Sequence, residues 1–150
     1  MAELTAGRKS PRLTLTVLAA IHLTVVLWHG GAHTGLAVSL SRLQTLFVFA
    51  VILIAPIVAT LLLWTPLRGF AIWLYFISMS AALLFGVYYH YIAVSPDNVH
   101  YLPAGADAAR RQFVISAGAV AICELIATLV SGFATRASDR RPDRASPASV

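Results

Sequence analysis

The fold class of this protein is decided by residues 43–64, which read LQTLFVFAVILIAPIVATLLLW. This stretch carries no charged side chain. It is also long enough to cross a bilayer, because an α-helix needs about 20 residues to span the hydrocarbon. The stretch lacks the strict alternation of apolar and polar residues that a membrane strand shows. We therefore predict a transmembrane helix here.

Three further apolar stretches have the same character, namely residues 13–33, 70–94 and 113–134. The chain of 150 residues is 59% hydrophobic and 11% charged, which is more apolar surface than a soluble domain of this size can bury. The sequence thus predicts an all-α, four-helix transmembrane bundle, a polytopic integral membrane protein. We assign residues 1–135 to this bundle and residues 136–150, rich in Arg, Asp, Ser and Pro, to a disordered basic cytoplasmic tail.

The distribution of basic residues predicts the orientation in a cell membrane. Eight of the 11 Lys and Arg residues fall on the side that holds both termini, so we expect both termini in the cytoplasm. The first stretch follows a basic segment as a signal peptide does, but no cleavage site follows it, and we expect it to be retained. The expected partners are the lipid bilayer and either another membrane protein or a second copy of the chain. Nucleic acid is not expected, because membrane orientation already accounts for the basic residues.

Three of the five histidines share one face of the first predicted helix. At about 100° per residue, His29 and His33 lie about 20° to either side of His22. Counting the rise per residue places His22 near the middle of the bilayer and His29, His33 and His90 near its outer edge. His100 falls in the second outer loop.

This outer group predicts a metal site formed by His29, His33, His90 and His100, with Asp97 as another candidate to complete the ligands. Neutral imidazole binds zinc, copper and haem iron, and the spacing of His29 and His33 lets both rings reach one ion. The site depends on helix one continuing through the glycines at positions 30 and 31. The alternative interpretation is a solvated rim, since histidine also suits the headgroup region.

Glu124 lies near the middle of the bilayer in the fourth predicted helix. An acidic side chain at that depth needs a polar partner, and His22 lies at about the same depth. We predict that His22 and Glu124 form a buried polar pair. The pair acts either as a hydrogen bond that sets helix register or as a proton relay or inner ligand.

Two functions remain open at this stage. The first is redox chemistry or metal handling, with copper, zinc or haem bound at the outer face. The alternative is a non-catalytic structural or accessory membrane subunit with no ligand site. A weaker third interpretation is a proton or ion path from the outer histidines to His22 and Glu124. The chain lacks the glutamate that would turn His29–x–x–x–His33 into a zinc-protease motif, and whether it is an enzyme stays undecided.

Overall fold

The structure is a computed structural model that describes residues 11–139. These residues form four long helices: α1 (Pro11–Gly35), α2 (Arg42–Leu62), α3 (Arg68–Ile92) and α4 (Asp107–Asp139). Each helix is long and apolar enough to cross a membrane. The predicted all-helical architecture with four such helices is therefore confirmed.

The helix boundaries differ from the expected ones mainly at α4. This helix begins at Asp107, well before residue 113, because Asp107 provides an acidic first turn and the following alanines favour helix. It also continues to Asp139, so the first residues of the expected tail are helical, and residues 140–150 lie outside the described residues. Helix α1 does not end at its glycines. It continues without a break through Gly30 and Gly31 to Gly35.

Two helices contain π-helical segments. In α2 the segment Val48–Ile54 is wound this way, and the Ala55 N–H donates to the Ala50 carbonyl five residues back. It precedes Pro56, which has no N–H to donate and would strain an ordinary α-helical turn. In α3 the last turn, Tyr88–Ile92, is also π-helical and contains His90. Such segments frequently occur at functional sites.

The helices form a ring in the order α1, α4, α3, α2. Helix α4 packs against α1 and α3, and α2 packs against α3 and, through Ala55–Leu62, against α1. Helices α1 and α3 therefore face each other diagonally across the bundle.

Two clusters of buried apolar side chains hold the bundle together. One lies towards the N-terminus of α1, where Leu15 clusters with Ala59 of α2 and with Leu63, the residue that follows α2. The second lies at what we call the loop end, the end that carries the connections 36–41 and 93–106. It consists of Ala32, Leu36, Val38, Leu102 and Phe113.

Candidate metal centre

Three histidines meet at the loop end of the bundle. The Nε2 atom of His29 lies 3.1 Å from Nε2 of His90 and 3.2 Å from Nε2 of His33. One ligand atom from each residue can be chosen so that all three lie within 4.8 Å of one another. The predicted approach of His90 to the histidines of α1 is thus confirmed.

His100 does not join this cluster. It is exposed in the loop after α3, and its main-chain N–H donates to the Asn98 side chain at 2.9 Å. A hydrogen bond holds this loop against the end of α3, since the Val99 N–H donates to the His90 carbonyl at 3.0 Å.

The cluster depends on two local features of the helices. Because α1 is unbroken at its glycines, His29 and His33 stand one turn apart on the face that looks across the bundle. His90 lies in the π-helical turn of α3, the helix diagonally opposite α1, and its ring reaches those of His29 and His33 from that side. Phe113 of α4 is fully buried beneath them, with its ring centre 4.9–5.7 Å from those of all three imidazoles. These contacts hold the rings in place.

Each of the three imidazoles has its Nδ1 atom against an oxygen. Nδ1 of His90 lies 2.9 Å from the main-chain carbonyl of Asp97, and Nδ1 of His33 lies 3.4 Å from that of Val38. A carbonyl only accepts, so both contacts are hydrogen bonds when Nδ1 carries the ring proton.

The same holds for His29, although its partner is a hydroxyl. Nδ1 of His29 lies 2.8 Å from Ser116 Oγ, whose own proton is donated to the Phe113 carbonyl at 3.1 Å. With the hydroxyl proton directed at that carbonyl, the oxygen of Ser116 is free to accept from Nδ1 of His29. An oxygen partner on one ring nitrogen is the arrangement that fixes a metal-binding histidine.

It follows that the three Nε2 lone pairs converge when the rings are neutral. No proton then lies between Nε2 of His29 and its two neighbours, so the lone pairs repel one another. A cation between them removes this repulsion. Two of the three separations, 3.1 and 3.2 Å, are close to the roughly 3.3 Å expected between two nitrogens bound to one tetrahedral zinc ion. The ligand atoms as a set lie within 4.8 Å of one another, so the rings of His33 and His90 would have to move closer together to share the ion.

The carboxylate of Asp97 adds negative charge beside the cluster. Its Oδ1 lies 3.2 Å from Nε2 of His33 and 3.2 Å from Nδ1 of His90. The proton on the latter points at the Asp97 carbonyl, and neither carboxylate oxygen has a hydrogen-bond partner among the described residues. Burial opposes ionisation of this group, but the imidazoles of His90 and His33 outweigh it and lower the pKa of Asp97 below its usual value.

His22 and Glu124 meet deeper in the bundle. Nε2 of His22 lies 3.4 Å from Oε1 of Glu124, and both residues are buried. The second carboxyl oxygen, Oε2, has no hydrogen-bond partner among residues 11–139. This oxygen lies next to Gly86 of α3. A Cβ atom added to Gly86 would stand 3.5 Å from Oε2 of Glu124 and 3.9 Å from Cδ2 of His90.

The oxygen partners of the histidines were missed at the sequence level. Ser116 looks like one of several small residues that let helices pack closely. Its spacing with Val120 and Glu124, at every fourth position, places it on the same helix face as the glutamate. That spacing was the available signal. The main-chain carbonyls have no signal in the sequence at all.

Comparison of the chain with protein-family models, with curated proteins and with solved structures finds no match. The fold and the site therefore define the class to which the chain can be assigned: a helical protein with four potential membrane spans and a cluster of three histidines that can bind a metal ion.

Proposed function

We propose that this protein is an integral membrane protein that binds one transition-metal ion, Zn²⁺ or Cu²⁺, through Nε2 of His29, His33 and His90. The observation that carries the proposal is the convergence of three Nε2 atoms from rings whose Nδ1 atoms all face oxygen. Imidazole nitrogen is a preferred ligand of both ions.

The geometry favours a single ion over haem held by two of these histidines. Two axial nitrogens on one iron would stand about 4 Å apart with a flat macrocycle between them. Here Nε2 of His29 and of His90 are separated by 3.1 Å, and the two ring centres by 4.7 Å in an edge-to-face contact. This packing leaves no slot for a porphyrin.

Three protein ligands leave the fourth position of a tetrahedral ion open. Sites with an open position are typical of catalytic zinc, whereas structural sites are closed by four protein ligands. A zinc ion here would supply a Lewis acid, and copper would supply one-electron chemistry. The protein's part is to orient the three rings and to place Asp97 beside them.

Insertion into a cell membrane, with both termini in the cytoplasm, is part of the proposal. The four apolar helices support it, as do the many large apolar side chains on the surface, such as Leu84 at 71% exposure and Leu43 at 79%. The bias of basic residues supports the orientation. A His100→Cys variant should react with an impermeant thiol reagent on intact cells, since the native Cys123 is buried. Labelling only after permeabilisation would reverse the topology.

The metal is tested by its stoichiometry in purified protein. We expect wild type loaded with Zn²⁺ or Cu²⁺, after removal of free metal, to retain one ion per chain. His29→Ala and His90→Ala should lose the ion. The matched control is His100→Ala, which removes a histidine of the same loop end that lies outside the cluster, and it should retain the ion.

X-ray absorption of the loaded protein gives a second measurement. We expect three imidazole nitrogens at about 2.0–2.1 Å from zinc. If wild type holds no ion, or if His100→Ala loses it as readily as His90→Ala, the metal proposal is wrong. The non-catalytic accessory role would then be favoured.

A further inference from the structure

A cavity of about 730 Å³ adjoins the histidine cluster. It lies between the second half of α1 and the π-helical part of α2, whereas α1 and α2 pack against each other mainly through Ala55–Leu62. Apart from Thr45, the face contributed by α2 is apolar, with Phe49 and Ile52 among its residues. Helices α1, α3 and α4 contribute the three histidines and Glu124, and the loop after α3 contributes Asp97.

The mouth of the cavity lies on the apolar surface. Leu27 of α1 is 61% exposed and Phe49 of α2 is 56% exposed, and both line the cavity. Both residues belong to the helix segments that are apolar enough to span a membrane. Part of the cavity's rim therefore lies on the apolar surface that a bilayer would cover, which offers a ligand dissolved in the hydrocarbon a route between α1 and α2.

The polar wall offers a buried carboxyl oxygen that needs a partner. Glu124 is fully buried and lines the cavity, and its Oε2 has no hydrogen-bond partner among the described residues. Leaving such a group unpaired costs free energy, so an occupant gains by bringing a hydrogen-bond donor to it. The oxygen lies near His90, since both are within 4 Å of the point where a Cβ on Gly86 would stand.

We propose that this cavity binds a membrane-dissolved molecule with a hydrocarbon body and a terminal hydroxyl group. The hydrocarbon body packs against α2. The hydroxyl lies between Glu124 and the histidine cluster, where it donates to the carboxyl group and turns its oxygen to the open position of the ion. An alkane lacks the donor that Oε2 of Glu124 needs, and so does an ionised carboxylate. The contact with the ion rests on the proposed function, whereas the contact with Glu124 does not.

The probe is radiolabelled 1-dodecanol, and its binding is measured by scintillation proximity on wild type in nanodiscs. The zinc content is determined on the same sample. We expect saturable binding of one dodecanol per chain. The competitor dodecyl methyl ether, which cannot donate, should bind about tenfold more weakly, since one hydrogen bond to the carboxyl group is lost. A second competitor, decylhydroquinone, carries its hydroxyl groups on an aromatic ring. If it binds more tightly than dodecanol, the ligand is aromatic at its hydroxyl end; if dodecanol binds more tightly, the ligand is an aliphatic alcohol.

Glycine variants of α3 test the location. Gly86→Leu should abolish dodecanol binding, because its side chain would fill the space between Glu124 and His90. Gly86→Ala should keep the fold, since its Cβ makes only ordinary contacts at 3.5 and 3.9 Å. The matched control is Gly69→Leu in the same helix, where no atom of the described part of the chain lies within 4 Å of the added Cβ, and it should bind as wild type does.

Three results would overturn the inference: equal affinity for dodecanol and its methyl ether, wild-type binding by Gly86→Leu, or zinc-loaded wild type that binds no dodecanol. The ether comparison needs no variant and stands even if Gly86→Leu does not fold. Protein that binds dodecanol but holds no zinc would contradict the metal proposal and leave the alcohol site intact.

Discussion

The hydrogen bond from His29 to Ser116 provides the sharpest test of how the cluster is built. Among residues 11–139, Ser116 offers the only acceptor within hydrogen-bond distance of Nδ1 of His29, at 2.8 Å. Ser116→Ala removes it and changes no atom of the three imidazoles. We expect the variant to bind metal more weakly than wild type. The ring of His29 would be less firmly oriented and its Nε2 less basic.

The magnitude follows from the burial of the contact. Ser116 is fully buried, so the orphaned N–H finds no water in its place. Loss of a hydrogen-bond partner from the other ring nitrogen of a metal-binding histidine typically lowers metal affinity about 10–100-fold, equivalent to roughly 1.4–2.8 kcal/mol of binding free energy. The metal-free protein should also lose about 1–3 kcal/mol of its free energy of unfolding, the cost of an unsatisfied buried donor.

The assay is a competition titration of the protein against a chelator of known zinc affinity. Ser131→Ala is the matched control, since Ser131 is equally buried on the same helix but its hydroxyl donates to the Ala127 carbonyl at 2.6 Å. Ser131→Ala should leave zinc affinity unchanged. If both variants bind zinc equally well, Ser116 does not orient His29, and the proposed arrangement of ring protons is refuted.

Two further predictions concern the stability of the bundle. In a double-mutant cycle of His22→Leu and Glu124→Leu, unfolding titrations should give a coupling free energy of about 1–2 kcal/mol, and additive effects would show that the 3.4 Å contact contributes nothing. Gly132→Ala should lower the free energy of unfolding by about 1 kcal/mol or more relative to Gly69→Ala, because its Cβ would stand 3.2 Å from the Phe76 ring whereas the other meets open space. Equal stability of the two alanine variants would show that the Phe76 ring adjusts freely.

The helices were predictable because the signal for each one lies within its own stretch of sequence. Four apolar stretches of sufficient length are visible without any knowledge of the fold, and so is the single face that carries His29 and His33. Depth counting also placed His90 at their level, because the rise per residue of a helix is constant. His100 illustrates the limit of this method: it shares the level of the cluster along the chain, yet the turn that pins the loop to α3 leaves it exposed.

The early start of α4 and the π-helical turns were beyond this reasoning. The turn at Asp107 has too few apolar residues to stand out as part of a span, and its helix is set by local propensity. The π-helical turn that carries His90 depends on how α3 meets its neighbours, and no residue type marks it.

The sequence by itself thus determined the helical class, the number of apolar helices and which histidines share a helix face, since these follow from composition and helical periodicity. Only the tertiary structure decided that α1 and α3 face each other diagonally, so that His90 reaches His29. It also decided that Ser116, Val38 and Asp97 face the Nδ1 atoms, and that a cavity lies between α1 and α2 beside Glu124. Such contacts join residues far apart in the chain, and they arise from the packing of whole helices rather than from the pattern within any one of them.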